Sequence, residues 1–511
     1  MPGAASGGLA VGLLQTGNLV LQLGIIVAYL VVALAIGLVA YRVAERGAED
    51  YYLASRSVGT LVLLFTTFAT LLSAFTFFGG PNIAYAAGPE WILVMGVMDG
   101  VLFAILWYVM GYKQWLVGQR QGYVTLGEML GDRFGSPALR ALVAGVSLLW
   151  LFPYVMLQQM GAGEAIVGLT GGAVPYWGGA ALITGFMIVY VVLSGLRGVA
   201  WTDTVQGLFM LSVVWVAVAW VLSGVGGVGA ATEAMVSARP DFAALGTGLY
   251  TPQFIISTAV TIAFGVTMFP QINQRFFVAE SSTVLKRSFA LWPVLVLLLF
   301  VPAFMLGAWA AGLPIDVPEG ANVLPVLLNE YTPAWFAALV VAGAMAAMMS
   351  SSDSMLLSGS SYFTRDLYRP FWRPNASEER EALVARVGVA VFALLAFAAS
   401  LTRPGTLIEV GSTAFSGFAL LAPVVLVALY WPDATRDGMI VGIAVPQVVY
   451  LTHVFVPETV VAGVPLFARS YGGWDVALGL MVLAVILTVG VSKLTSPVDD
   501  ADPDRFAVAS D

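Results

Sequence analysis

The 511-residue chain contains no cysteine and a single histidine, His453. Disulfides, thiolate metal centres and iron–sulfur clusters are therefore excluded, as are bis-histidine haem and histidine-rich metal sites. Lysine is scarce, with Lys113, Lys286 and Lys493 the complete set. Charged residues make up 10% of the chain, against roughly 25% in a soluble domain. The 22 basic and 30 acidic residues leave a formal charge of −8, which argues against nucleic acid as a partner. No nucleophile–base pair or metal-ligand cluster points to an enzyme.

What fills the chain is apolar: 59% of residues are hydrophobic and the mean hydropathy is +0.90. A bilayer crossing takes about 20 apolar residues as a helix. The runs predict an all-α polytopic membrane protein with about thirteen spans. They lie near 19–41, 57–86, 91–112, 140–168, 175–195, 200–224, 251–273, 288–312, 335–362, 384–402, 406–431, 437–457 and 472–494. With the N-terminus outside, nineteen of the 22 basic residues, Arg275 among them, fall in inside loops, and only Arg239, Arg403 and Arg469 stay outside. The expected location is the plasma membrane, with the C-terminus cytoplasmic. The first eighteen residues lack a basic n-region, so the first span reads as a retained anchor within a segment 1–50. A transport core at 51–432, two further helices at 433–495 and a disordered acidic tail at 496–511 complete the expected organisation.

Five acidic residues fall within spans or at their edges: Asp99, Glu164, Asp203, Asp353 and Glu409. A charge at mid-membrane costs at least ~2.5–3.5 kcal/mol, so each needs a partner or a wet cavity. Asp99, Glu164 and Glu409 read as structural hydrogen-bonders near helix ends. Two spans carry helix breakers, at Phe78-Gly79-Gly80-Pro81-Asn82 and from Gly265 to Phe269-Pro270-Gln271. Proline removes an N–H and frees a carbonyl, and transporters place such interruptions at matching points of two halves. The halves here would be about 57–224 and 251–431. Between 346 and 361 runs Ala346-Ala347-Met348-Met349-Ser350-Ser351-Ser352-Asp353-Ser354, followed by Ser358, Ser360 and Ser361. Hydroxyls clustered around a carboxylate supply hard oxygen donors suited to a small cation. Scattered serines, by contrast, more often bond their own preceding turn.

The stretch Ser194-Gly195-Leu196-Arg197-Gly198-Val199-Ala200-Trp201-Thr202-Asp203-Thr204-Val205-Gln206-Gly207 resembles the signature of the sodium:solute symporter family. Phe68 to Pro81, the serine run with its trailing Thr364-Arg365-Asp366-Leu367-Tyr368, and Leu421-Ala422-Pro423 to Tyr430-Trp431-Pro432 agree with it in order and spacing. The resemblance implies a LeuT-like core of two inverted five-helix repeats that imports a small organic solute with Na⁺ by alternating access. It also implies a sodium site built from carbonyls of Ala69, Leu72 and Ala347 and hydroxyls of Ser350 and Ser351. A second sodium in some relatives corresponds to Asp203, Ser350, Asp353 and Ser354 here. Asp353 stands where relatives with that site can carry serine.

The substrate is less legible. Proline-transporting relatives carry an aspartate where this chain has Leu71, and sugar-transporting relatives place polar groups there and just beyond. A buried, unpaired hydroxyl costs about 1–3 kcal/mol, and Leu71 to Phe77 offers few partners for a sugar. The stretch Phe269 to Arg275 looks more like the organic-acid and amino-acid branches, so a monocarboxylate, pantothenate or proline is expected. Candidate substrate contacts are Phe75, Thr76, Gln158, Met268 and Gln271. Beyond the solute, Na⁺ and the lipid bilayer, no obligate protein partner is inferred. Proton coupling through Asp353 or Asp203, a sugar substrate and a transporter-like sensor are the competing readings. The GxGxxG at Gly224–Gly229 lacks a strand before it and reads as linker. His453 reads as a packed or interfacial residue.

Overall fold

A computed structural model describes residues 4–43, 58–461, 464–467, 470–497 and Phe506, without the side chains of 4–17, 37, 40–43, 193–201, 458, 461 and 467. The spans form a helical bundle: α1 (Ala4–Val43), α2 (Thr60–Leu71), α3 (Phe75–Ala87), α4 (Ile92–Gln121), α5 (Leu126–Arg133), α6 (Pro137–Thr170) and α7 (Tyr176–Val225). They continue with α8 (Pro252–Thr267), α9 (Pro270–Phe277), α10 (Ser282–Ala310), α11 (Ala334–Trp372), α12 (Glu378–Ser400), α13 (Leu407–Tyr430), α14 (Arg436–Phe455) and α15 (Val476–Leu494). Among the described residues ten helices are long and apolar enough to cross a bilayer, or twelve with the bent pairs α2–α3 and α8–α9. The remaining expected span, 175–195, coincides with a shorter apolar stretch, Tyr176–Val192. The helical backbone continues from it to Val225, so the two spans expected at 175–195 and 200–224 are one run.

Helix starts follow their sequence signals. Ser136, Thr251, Ser281 and Thr435 each cap a helix through the side chain, and prolines take the first turns of α6, α8 and α9. Thr406 and Glu409 form a reciprocal capping box, so Glu409 is the structural acid its position suggests. At the centre lies α11, buried on every side from Phe336 to Ser361 except at Leu339. Its Ala, Gly and Ser residues let α2, α6, α7 and α9 approach closely.

Both breaks exist, but the first lies elsewhere than expected. Helices α8 and α9 meet at 55° across Met268 and Phe269, with Pro270 opening the second half. Helices α2 and α3 meet at 61° across Leu72–Ala74, a turn before the Gly-Gly-Pro run. Gly80 and Pro81 sit inside the helical segment instead. The missing Cβ of Gly80 admits the Phe304 ring, and Gly307 lets α10 lie against the Pro81 backbone. These small residues serve packing, while Pro81 occupies the first turn of an α-helical stretch that follows a π-turn at Phe75–Gly79.

Within the tail expected to be disordered, Phe506 is buried and stacks under the Arg133 guanidinium, 4.7 Å from the ring centroid. The rest of 498–511, and Arg46, Arg56, Arg469 and Arg505 of the charge count, lie outside the described residues.

Candidate ion and substrate site

At the first break the backbone stops bonding to itself. Leu72 still donates to the Phe68 carbonyl, but Ala74 donates to Gln158 Oε1 at 2.9 Å, and Thr76 and Phe77 both turn to the Ser73 carbonyl. Carbonyls of the last turn of α2 therefore need other donors. Ser351 of α11 supplies one: its Oγ donates to the Thr70 carbonyl at 2.8 Å and also to the Leu72 carbonyl. Three oxygens from two helices converge at the C-terminal, partially negative end of α2.

One residue away on α11, Ser350 points to another helix. Its Oγ donates to Asp203 Oδ1 of α7 at 2.5 Å. Asp203 is fully buried, and its Oδ2 accepts from Thr66 Oγ1 at 2.6 Å and lies 3.4 Å from Arg275 Nη2. The same Nη2 donates to Ser354 Oγ at 2.6 Å and Thr70 Oγ1 at 2.8 Å, and those two hydroxyls are 3.0 Å apart. Arg275 is 1% exposed, so it belongs to this buried network and not to an inside loop. Helix α9 continues to Phe277, past the polar residues that end a hydropathy run.

Beside the breaks lies an aromatic box. Phe75, Tyr154, Phe269 and Phe415 stand with ring centroids 5.0–5.5 Å apart in four pairs, and Phe418 closes on Phe269 at 4.8 Å. Tyr154 Oη and Ser73 Oγ are 2.9 Å apart. Two residues beyond Phe269, Gln271 is fully buried, and neither end of its amide has a partner among the described residues. A buried amide left unpaired costs free energy, so the geometry reserves a donor and an acceptor for something else.

The sequence model of the Sodium:solute symporter family matches residues 51–445. The chain belongs to that family. It is 30% identical over 434 residues to the sodium/pantothenate symporter of Escherichia coli K12, covering 83% of this chain and 89% of that one. The sodium/proline symporter of Haemophilus influenzae is 29% identical over 447 residues, 82% and 85% of the two chains. A solved Na⁺-coupled sialic acid symporter, described in a substrate-bound outward-open state with a novel Na⁺ site, superposes with a TM-score of 0.76 at 21% identity, over 94% and 99% of the chains. The nucleobase-cation-symport-1 transporter Mhp1 superposes at 0.57 with 16% identity, over 89% and 98%. The fold is thus LeuT-like, and the protein is a multi-pass Na⁺-coupled symporter of organic solutes, a carrier and not an enzyme.

Within this symporter the expected residues separate. Leu72 and Ser351 meet directly, and Thr70 joins them where sequence reasoning named Ala69. Ala69 and Ala347 are buried, Ala347 one helical turn before Ser351. Ser350 bonds Asp203 directly and Ser354 joins it through Arg275 Nη2, whereas Asp353 Oδ1 has no partner among the described residues. Ser352, Ser358, Ser360 and Ser361 bond carbonyls of their own preceding turn. Phe75 lines the box, and Thr76 and Met268 are buried at the two breaks. Gln158 uses both ends of its amide on backbone, Ala74 N–H and the Tyr154 carbonyl, and so holds the break open.

Sequence reasoning missed Arg275, Thr66, Tyr154, Phe269 and Phe415. Tyr154 stands one turn before Gln158 and was open to periodicity; Arg275 was hidden by counting it as a loop charge. Asp99 is fully buried, and neither of its oxygens has a protein partner among the described residues.

Proposed function

We propose that the symporter binds Na⁺ where the Thr70 and Leu72 carbonyls meet Ser351, with Ala69, Ala347 and Ser350 completing the shell. The convergence of Ser351 Oγ on two freed carbonyls carries this reading. A bound cation takes over the role the hydroxyl proton plays in bridging α2 and α11. Na⁺ then ties the two helices together, favours the outward-open state and completes the adjacent solute box. Na⁺ and solute raise each other's affinity by the same factor, as linkage requires.

The solute is a small carboxylate or amino acid, in line with the pantothenate and proline symporters among the relatives. Helices α3 and α9 both begin at the breaks, and their partially positive N-termini suit an anionic group beside the Gln271 amide. The apolar body packs against Phe75, Tyr154, Phe269 and Phe415, with Thr76 and Met268 at the margins. A polyhydroxylated sugar would leave hydroxyls unpaired against those rings. The carrier works in the plasma membrane with its N-terminus outside, as two inverted five-span repeats that each open with a broken span, without an obligate protein partner.

The test is uptake into proteoliposomes under an inward Na⁺ gradient, with K⁺ as control, across labelled pantothenate, proline, pyruvate, lactate, acetate and galactose. Sodium-driven uptake of one carboxylate or amino acid is expected. Uptake of galactose alone would overturn the substrate class, and solute binding without transport would favour a sensor.

A further inference from the structure

Helix α12 stands at the edge of the bundle, with Val387, Val391 and Leu395 about half exposed. Between it, α6 and α11 lies a cavity of about 210 Å³, lined by Leu151, Met355, Leu356, Phe363, Gly388 and Phe392 among others. Two glycines shape it. Gly359 draws α6 against α11, since a Cβ there would meet Leu151 Cδ2 at 2.8 Å. A Cβ on Gly388 would meet nothing within 4 Å, so the space beside α12 is left open. The one hydroxyl in the lining, Ser360 Oγ, already donates to the Leu357 carbonyl at 2.7 Å. Such a space offers water no partners, and close-packed interiors seldom leave one empty. An aliphatic chain fits it, whereas a polar solute does not.

An acid stands above the same crevice. Glu381 precedes Gly388 by seven residues, which puts it on the same face of α12, about 10.5 Å nearer the helix start. Glu381 is 4% exposed; its Oε2 lies 3.7 Å from Arg369 Nη1, and its Oε1 has no partner among the described residues. Arg369 is half-exposed, and the exposed Arg380 donates from Nε to Tyr368 Oη at 3.2 Å. Phe371 and Trp372 are exposed on the same segment, as aromatics at a bilayer interface are. A buried carboxylate oxygen without a donor, flanked by exposed guanidinium groups, suits a ligand that carries an ammonium and an anion together.

We propose that this groove binds a phospholipid with a primary ammonium headgroup, of the phosphatidylethanolamine class. The ammonium would donate to Glu381 Oε1, the phosphate would face Arg369 and Arg380, and one acyl chain would lie in the crevice beside Gly388. The two helical turns between Glu381 and Gly388 leave room for the glycerol backbone. A choline headgroup has no N–H to give Glu381, and an anionic glycerol headgroup brings no cation. The chain packs on α11 from Met355 onwards, one turn past Ser351, in what is the cytoplasmic leaflet in the orientation proposed above.

The experiment is native mass spectrometry of the purified full chain, titrated separately with phosphatidylethanolamine, phosphatidylglycerol and phosphatidylcholine of identical chains. One phosphatidylethanolamine per chain is expected to bind about tenfold or more tighter than either other lipid. Gly388→Leu, which fills the open space, should weaken it tenfold or more; Gly185→Leu, at an exposed glycine of α7 with equally open surroundings, should not. Glu381→Gln should bring phosphatidylethanolamine down to the level of the other two. Equal affinity for the three lipids, tighter phosphatidylglycerol, or equal losses in Gly388→Leu and Gly185→Leu would each overturn the proposal. So would unchanged binding in Gly388→Leu, which decides alone if Glu381→Gln fails to fold. The readout involves neither Na⁺ nor the solute, so its failure leaves the site at Ser351 standing.

Discussion

Ser351 and Ser352 are sequence neighbours with the same hydroxyl, yet one bridges two helices and the other bonds Met348 of its own turn. A step of about 100° around a helix decides which of them faces α2. The same periodicity puts Ser350 and Ser354 on the Asp203 side. A change at Gln158 tests the break itself. Gln158→Leu removes the acceptor for the buried Ala74 N–H, and a buried donor left unpaired costs about 1–3 kcal/mol. Its midpoint of thermal unfolding in detergent should fall; an unchanged midpoint would mean that the break needs no such clamp. Gln271→Leu should behave in the opposite way, keeping the midpoint and raising the solute KM, because its amide bonds nothing among the described residues. The serine run stood out in the sequence because five consecutive polar residues inside an apolar span have few structural uses, and the structure brings Ser350, Ser351 and Ser354 to partners on other helices. The partner of Asp203 was not legible. Arg275 is 72 residues away in sequence, and its burial follows from the bend that carries α9 back against α2 and α11.

At the scale of elements, the two broken spans show what helix breakers do and do not announce. Pro270 marks its break directly, since the proline opens α9 after Met268 and Phe269 leave the helix. The break at Leu72–Ala74 has no glycine or proline in it. It is made by tertiary partners, Gln158 and Ser351, which a local reading cannot see. The Gly-Gly-Pro run a turn later is a packing surface for α10, which explains why it looked like a break. Gly307→Ala should therefore lower the unfolding midpoint by the equivalent of about 1–3 kcal/mol, since its Cβ would meet the Pro81 backbone, which cannot move aside. Gly185→Ala, which would meet no neighbour, is the control and should leave the midpoint unchanged or raised. Equal effects of the two would contradict the packing role given to Gly307.

Over the whole molecule, the first site couples α2 to α11, and an ionic cluster couples the far end of α11 to α5 and α6. Arg140 lies 2.8 Å from Asp366 and 3.1 Å from Glu128, and Arg365 lies 2.6 Å from Glu128. Glu128→Gln should loosen this junction and speed amide exchange in 126–133 and 362–372; unchanged exchange would show that the cluster does not hold the junction. Family and fold class were legible across the chain because motif order and hydropathy survive at low identity. The ion network was not, since it depends on how bent helices pack. Energetically, one Na⁺ entering at −100 mV supplies about 2.3 kcal/mol, and a tenfold gradient about 1.4 kcal/mol more. Together these support roughly 500-fold accumulation of a neutral solute, and under the proposed Na⁺ site the affinity at Ser351 sets when that drive is available. The decisive measurement is the half-saturating Na⁺ concentration for ²²Na⁺ binding in Ser351→Ala beside Ser352→Ala. A rise of tenfold or more in Ser351→Ala with Ser352→Ala unchanged is expected; equal values in both variants and the wild type would contradict the site.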